Sequence, residues 1–219
     1  MDVKIADTTL NLSADRSAWW PDCKALFIAD THFGKAAAFR RAGLPVPVGT
    51  TTEVLARLSS AIDARSAERL IVLGDLIHCG DRTETDFLSE LRHWRDQHAS
   101  LEWTLVRGNH DRGHKGLFTE LRIDVIDEPF ELGPFELCHY PDAAPRLPEK
   151  YRLSGHMHPG LSIKELGHSS PKLPCFWFSS NTGIMPAFGN FVGHSTIQIS
   201  NDDQVFVVAD DQLILFSER

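Results

Sequence analysis

LIVLGDLIH, residues 70–78, is an apolar run that stops abruptly at a polar turn. Four apolar residues without a polar break predict a short strand covered on both faces, as in a parallel sheet. Gly74-Asp75 then opens a turn. Working upstream, Val54, Leu55, Leu58 and Ile62 recur at helical spacing. Thr50-Thr51-Thr52-Glu53 has the spacing of a capping box, so a helix of about four turns is predicted to begin there. Before it, residues 24–29 (KALFIA) predict a strand that ends at Asp30. Residues 33–49 (FGKAAAFRRAGLPVPVG) read as a long Gly- and Pro-rich loop. Downstream, Phe87, Leu88, Leu91 and Trp94 mark a second helix, and residues 103–106 a third strand ending at Gly108-Asn109. This βαβαβ order favours a parallel sheet with crossover helices.

After about residue 123 the helical signal fades. Residues 123–126, 130–132, 135–139, 151–154, 161–165, 175–178, 195–200, 205–208 and 213–216 read as strands between Gly, Pro, Asn and Asp turns, with Asp202-Asp203 in a late hairpin turn. The expected fold class is α/β, a two-sheet sandwich flanked by helices in αββα order. No repeat, linker or composition break divides residues 1–219, so one domain is expected.

Composition narrows the function. The chain has 42% hydrophobic and 24% charged residues, in the range of soluble globular proteins. No apolar stretch approaches the roughly 20 residues that span a bilayer, and the first ten residues lack the blocks of a signal peptide. Cys23, Cys79, Cys138 and Cys175 are scattered and form no C-x-x-C pair. Free thiols in a reducing cytoplasm are the expectation, with no membrane association. The net charge of −8 argues against avid duplex binding. Two divalent cations would offset half of it, so a phosphate-bearing substrate at a cationic centre stays compatible.

Chemistry gathers at the predicted strand ends. Asp30-Thr31-His32, Gly74-Asp75 with His78, Gly108-Asn109-His110-Asp111, His139, and Gly155-His156-Met157-His158 each follow a short apolar run. Asp, Asn and His supply the oxygen and nitrogen ligands of hard and borderline divalent cations. One such cluster is an ordinary turn. Five, at the strand end where α/β sheets collect ligands, point to a two-metal hydrolytic site. His93, His98, His114, His168 and His194 lie outside these clusters and read as surface or capping residues.

The pattern D-x-H, G-D-x-x-H, G-N-H-D, a lone His and G-H-x-H resembles that of the calcineurin-like metallophosphoesterases, over about residues 24–158. Residues 30–49, His139-Tyr140-Pro141, residues 154–159 (SGHMHP) and residues 181–189 (NTGIMPAFG) are further similar to the bacterial ligase-associated DNA damage response endonucleases. The resemblance implies that Asp30, His32 and His158 hold one metal ion, and Asn109, His139 and His156 a second, with Asp75 bridging. It implies manganese, while iron, zinc or magnesium fit the same ligand types. It also implies attack by a metal-bridging hydroxide, with His110 facing the scissile phosphate.

His78 stands where many relatives carry Asp, and in this it resembles SbcD-type repair nucleases. It either braces the metal site or touches the nucleic-acid backbone as a second catalytic histidine. Arg40 and Arg41 are candidate phosphate contacts or solvated surface. Implied partners are DNA, single-stranded, and functional association with a DNA ligase and a helicase. Trp19, Trp20, Phe33, Phe188 and Phe191 suit the core or a homodimer interface. Two other readings compete with the endonuclease: a phosphoesterase for a small nucleotide or other small phosphodiester, and a non-catalytic scaffold of the same fold. The scaffold reading expects missing ligands, and none is missing.

Overall fold

A computed structural model of the chain describes residues 1–78, 85–142, 149–162 and 172–216. Two sheets face each other. The first joins β1 (Asp2–Ile5), β2 (Thr8–Leu12), β3 (Ala18–Trp20), β4 (Ala25–Ile28), β5 (Arg69–Leu73), β6 (Glu102–Val106) and β7 (Asp124–Ile126) in that order. β4, β5 and β6 are parallel, as the βαβαβ pattern predicts, and β7 continues them in parallel beyond that pattern. β1 to β4 are antiparallel, an N-terminal extension absent from the sequence reading.

The second sheet contains β8 (Phe130–Leu132), β9 (Phe135–Leu137), β10 (Tyr151–Ser154), β11 (Pro159–Ser162), β12 (Lys172–Phe178), β13 (Thr182–Ile184), β14 (Ser195–Thr196), β15 (Gln204–Ala209) and β16 (Gln212–Phe216). β9, β10 and β13 run parallel. The late hairpin is β15–β16, turning at Asp210-Asp211 rather than at Asp202-Asp203. β14 pairs with β11, so the Asp202-Asp203 turn joins strands that are not neighbours.

Alternation along β4 and β5 explains the layering. Leu26, Ile28, Leu70 and Val72 face one way and pack on α2 (Thr50–Arg65), α3 (Thr85–Gln97) and α4 (Lys115–Glu120). Phe27, Ala29, Ile71 and Leu73 face the other way, onto Phe135, Leu137, Leu153, Phe176 and Phe178 of the second sheet. Burial on both faces is why these strands read as unbroken apolar runs. Trp20, Phe33 and Phe188 belong to this core, whereas Phe191 is 43% exposed.

Two local expectations fail. Residues 35–41, read as loop, form a helix, α1 (Lys35–Arg41). The capping box does not form. Gly49, at φ +86°, is the N-cap of α2, and no side chain caps it. Gly takes that left-handed conformation freely, which leaves Thr50 inside the first turn. Cys23, Cys138 and Cys175 are free thiols, and burial pushes Cys175 up to about 12. Cys79, His168 and residues 163–165 of a predicted strand lie outside the described residues. No helix among the described residues is long and apolar enough to cross a membrane.

Candidate metal centre

β4, β5 and β6 of one sheet and β9 and β10 of the other deliver their following residues to a single place. The turns there are tight. Asp30, His32, Asp75, His156 and His158 all have left-handed backbones, with φ between +45° and +68°. Such conformations are uncommon outside Gly and cluster where the surroundings over-determine them. Backbone bonds supply that constraint. Asp30 N–H donates to Gly74 O at 3.1 Å, His32 N–H to Asp75 O at 2.9 Å, and His78 N–H to Phe33 O at 2.9 Å.

Glycines clear the remaining space. A Cβ on Gly74, itself at φ +82°, would fall 2.1 Å from His139 Nδ1. One on Gly155 would fall 2.6 Å from Leu73 O and 2.7 Å from Asp30 Oδ2.

Two groups of side chains converge. Asp30, His32 and His158 form one and Asp75, His139 and His156 the other, each with ligand atoms within 4.8 Å of one another. Asn109 Oδ1 joins the second group, 3.1 Å from His139 Nε2. Asp75 Oδ2 faces both groups, 3.7 Å from His32 Nε2 and 3.6 Å from His139 Nε2. Its other oxygen is held by the His110 backbone N–H at 2.9 Å. Likewise Asp30 Oδ2 accepts the His156 N–H at 2.9 Å.

These contacts fit cations better than they fit each other. His139 Nδ1 lies 3.1 Å from Leu73 O and must donate there, which leaves the Nε2 lone pair to face inward in the form of the ring that can ligate a cation. That lone pair meets Asn109 Oδ1 and His156 Nδ1, both at 3.1 Å. His158 Nδ1 donates to Gly193 O at 3.1 Å, and its Nε2 meets His32 Nε2 at 3.3 Å. Asp30 Oδ1 is buried without a hydrogen-bond partner among the described residues. Acceptors converging on acceptors, with a bare carboxylate oxygen beside them, are what a divalent cation satisfies.

Burial favours the neutral, ligating form of His32 and His156. Burial, then the Lys35 cation and neighbouring histidines, pushes His32 down to about 2. His156 is lowered by burial and by His139. For His158 burial works against the charged form, but Asp30 and the Gly193 carbonyl outweigh it and raise the pKa.

His78 and His110 stand beside this centre. Their rings stack at 5.1 Å and 26°, and His110 sits edge-on to His32 at 5.2 Å. Burial, Lys35 and His110 lower His78 to about 4. Together with His32 they form a third set of converging nitrogens. Arg40 and Arg41 lie in the last turn of α1. Arg40 Nη1 donates to Pro47 O at 2.9 Å, so part of its fork holds the following loop.

Asp111, Tyr140 and Lys35, none of them expected from the sequence to be a metal ligand of either ion or a catalytic group, also stand at this centre. Asp111 is buried and accepts four backbone N–H groups: Gly108 and Asp75 at 2.8 Å, Leu76 at 2.9 Å and Ile77 at 3.2 Å. It therefore fixes the loop that carries Asp75. Its place after Gly108-Asn109-His110 was a signal of sorts, since Asp is the usual acceptor for turn amides. Replacing Asp111 with Ala leaves four buried donors, so we expect a loss of at least about 3 kcal/mol in urea unfolding. A loss under about 1 kcal/mol would show that water or relaxation satisfies them.

Tyr140 sends its hydroxyl to Asn109 Oδ1 at 3.2 Å and tilts its ring against His156 at 4.5 Å. Lys35 begins α1 and lies 5.9 Å from the Phe39 ring centroid. Burial lowers its pKa against the pull of Asp75 and Asp30.

A family model for calcineurin-like phosphoesterases matches residues 23–157. Among solved structures, the nuclease MPE of Pseudomonas putida superposes with a TM-score of 0.84 at 31% identity, covering 99% of each chain. Yfce, a phosphoesterase from E. coli, aligns at 14% identity with a TM-score of 0.49, over 87% of this chain and 96% of that one. The Aquifex aeolicus protein AQ665 aligns at 20% identity and a TM-score of 0.42, over 61% and 78%. No curated protein sequence matches the chain.

Proposed function

Since this chain belongs to the calcineurin-like phosphoesterase family and is a metal-dependent phosphoesterase, we propose that it is a dinuclear phosphodiesterase that cuts single-stranded DNA internally, in repair. The observation that carries the dinuclear reading is Asp75 Oδ2, set between the two ligand groups at 3.7 and 3.6 Å. A carboxylate oxygen can serve two cations at once, which an amide oxygen does poorly. Asp30, His32 and His158 would hold one ion and Asn109, His139 and His156 the other, with manganese as the proposed metal. Bound there, the ions supply Lewis acidity to a phosphoryl oxygen and acidify water.

The chain's own groups do the rest. The His110 N–H holds Asp75 Oδ1, so that Oδ2 keeps its direction. The His110 side chain donates a proton to the departing oxygen. His78, stacked on His110, contacts the strand beside the scissile phosphate. Support for the substrate class is the likeness along the whole chain to a nuclease. A small phosphodiester is the second reading, favoured by the net charge of −8. Manganese-loaded protein should cut single-stranded DNA in preference to duplex and to a panel of small phosphodiesters. Turnover of small diesters alone would sink the nuclease reading.

Arg40 and Arg41 are proposed to pair with the strand's phosphates. Replacing both with Ala should weaken DNA cleavage more than cleavage of a small chromogenic diester. On a single strand, each phosphate pairing that the substitution removes should flatten the log–log salt slope by about 0.7. Equal losses on both substrates with an unchanged slope would place the arginines in the fold instead.

A further inference from the structure

We propose that Phe191 is a stacking platform for one nucleobase of the bound strand, close to the phosphodiester that is cut. This rests on the nucleic-acid reading above. Phe191 is 43% exposed, and its ring belongs to none of the hydrophobic clusters or ring pairs among the described residues. Its backbone is left-handed, at φ +59°. A bulky side chain rarely holds that conformation, and an outlier of this kind is a reason to look for function.

The segment around it is anchored to the metal centre on both sides. Gly189 N–H donates to Asp30 O at 3.1 Å, and Gly193 O accepts His158 Nδ1–H at 3.1 Å. Phe191 is two residues from each anchor. Consecutive Cα atoms are about 3.8 Å apart, so its Cα lies within about 7.6 Å of both. Chain geometry alone therefore keeps the Phe191 backbone beside the segment that contacts Asp30 and His158.

The segment is also rigid. Arg57, on α2, donates to Phe188 O and to Asn190 Oδ1 at 3.2 Å, and lies 4.5 Å over the Phe188 ring. Arg16 Nη1 donates to Ala187 O at 3.3 Å and Gly189 O at 3.2 Å. Asn190 Nδ2 reaches Glu53 at 3.4 Å, and Val192 is buried. Phe188, Asn190 and Val192 are thus held while Phe191 is turned outward. A ring presented this way loses little freedom on binding.

Charge decides what the ring takes. At a net charge of −8 the chain is not built to hold a polyanion by charge alone, beyond the pairing proposed for Arg40 and Arg41. Base stacking needs no charge and tolerates any base, because every base has a π face. A nucleobase next to the reacting phosphate is the ligand that supplies such a face here.

The test is steady-state cleavage of a single-stranded oligonucleotide by the manganese-loaded protein. Phe191→Ala should raise KM about 5- to 150-fold, the range of one stacked base. The log–log salt slope should stay at its wild-type value. Phe191→Trp should restore KM; Phe191→Leu, which keeps the bulk without the π face, should not.

A scan of single abasic sites then locates the base. At one position the abasic strand should weaken wild type and add nothing to the loss of Phe191→Ala, a coupling that marks contact. Rescue by Leu, or additive losses at every position, would overturn the proposal. So would a change in sedimentation mass in Phe191→Ala, which would assign the ring to an interface with a second copy. If wild type cuts and binds no single strand, the nuclease reading itself has failed, a result separate from all of these.

Discussion

Asp75→Ala is expected to abolish turnover and to strip metal from the protein while the fold persists. Asp75 is 2% exposed, and its Oδ2 lies 3.7 Å from His32 Nε2 in one ligand group and 3.6 Å from His139 Nε2 in the other. Removing it takes one negative charge from beside two sites at once. At an effective dielectric near 20, a unit-charge pair about 4 Å apart is worth ~4 kcal/mol, so each site loses a term of that order. Activity should fall by more than the roughly 10- to 100-fold that outer partners of metal sites typically carry.

The fold should survive for a specific reason. Without its carboxylate the loop bearing Asp75 loses one bond, that from the His110 N–H to Oδ1, and keeps the three backbone N–H bonds that Asp111 accepts. Asp75→Asn sharpens the test, because it keeps the shape and removes only the charge. Elemental analysis should give less than two ions per chain in both variants, with wild-type circular dichroism. Near-normal activity in Asp75→Asn would refute the bridging role.

How far the sequence revealed this centre depends on what holds each residue. The five clusters of candidate ligands are legible because each is local: an apolar strand, then a turn, then Asp, Asn or His. The convergence of three of them follows from the parallel strands β4, β5 and β6, and the packing of the second sheet brings His139 and His156 to the same place. What failed was information carried by partners distant in sequence.

Lys35–Arg41 looked like loop because Gly34, Gly43, Pro45 and Pro47 surround it, although its three alanines are the strongest helix formers. The strands from Asp2 to Trp20 are short, and Thr, Asn and Asp interrupt their apolar pattern. Arg57 meets its acceptors at Phe188 and Asn190 more than 130 residues away, and nothing near Arg57 in the sequence announces that contact. Likewise Asp111 reads in the sequence as one residue of a turn motif, and only the structure shows that it holds the loop carrying Asp75.

His110→Ala is the other substitution expected to have a large effect, and it separates chemistry from metal binding. The imidazole of His110 converges with those of His32 and His78, an arrangement that also suits a ligand. The backbone argues for chemistry. It is the His110 N–H, not its ring, that holds Asp75 Oδ1 at 2.9 Å. Alanine retains that N–H, so the geometry of the Asp75 carboxylate should survive.

The variant should therefore keep its full metal content and lose about 10²- to 10⁴-fold in rate on DNA, the usual contribution of a general acid. The loss should shrink on diesters whose leaving groups depart without a proton. His78→Ala, which removes the ring stacked on His110, should move in the same direction, because an unsupported His110 samples more orientations. Metal analysis decides between the two roles. A His110→Ala protein that arrives depleted of ions makes His110 a ligand, and the proton donor would then have to be sought elsewhere on the rim, with Tyr140, bonded to Asn109, the first group to test.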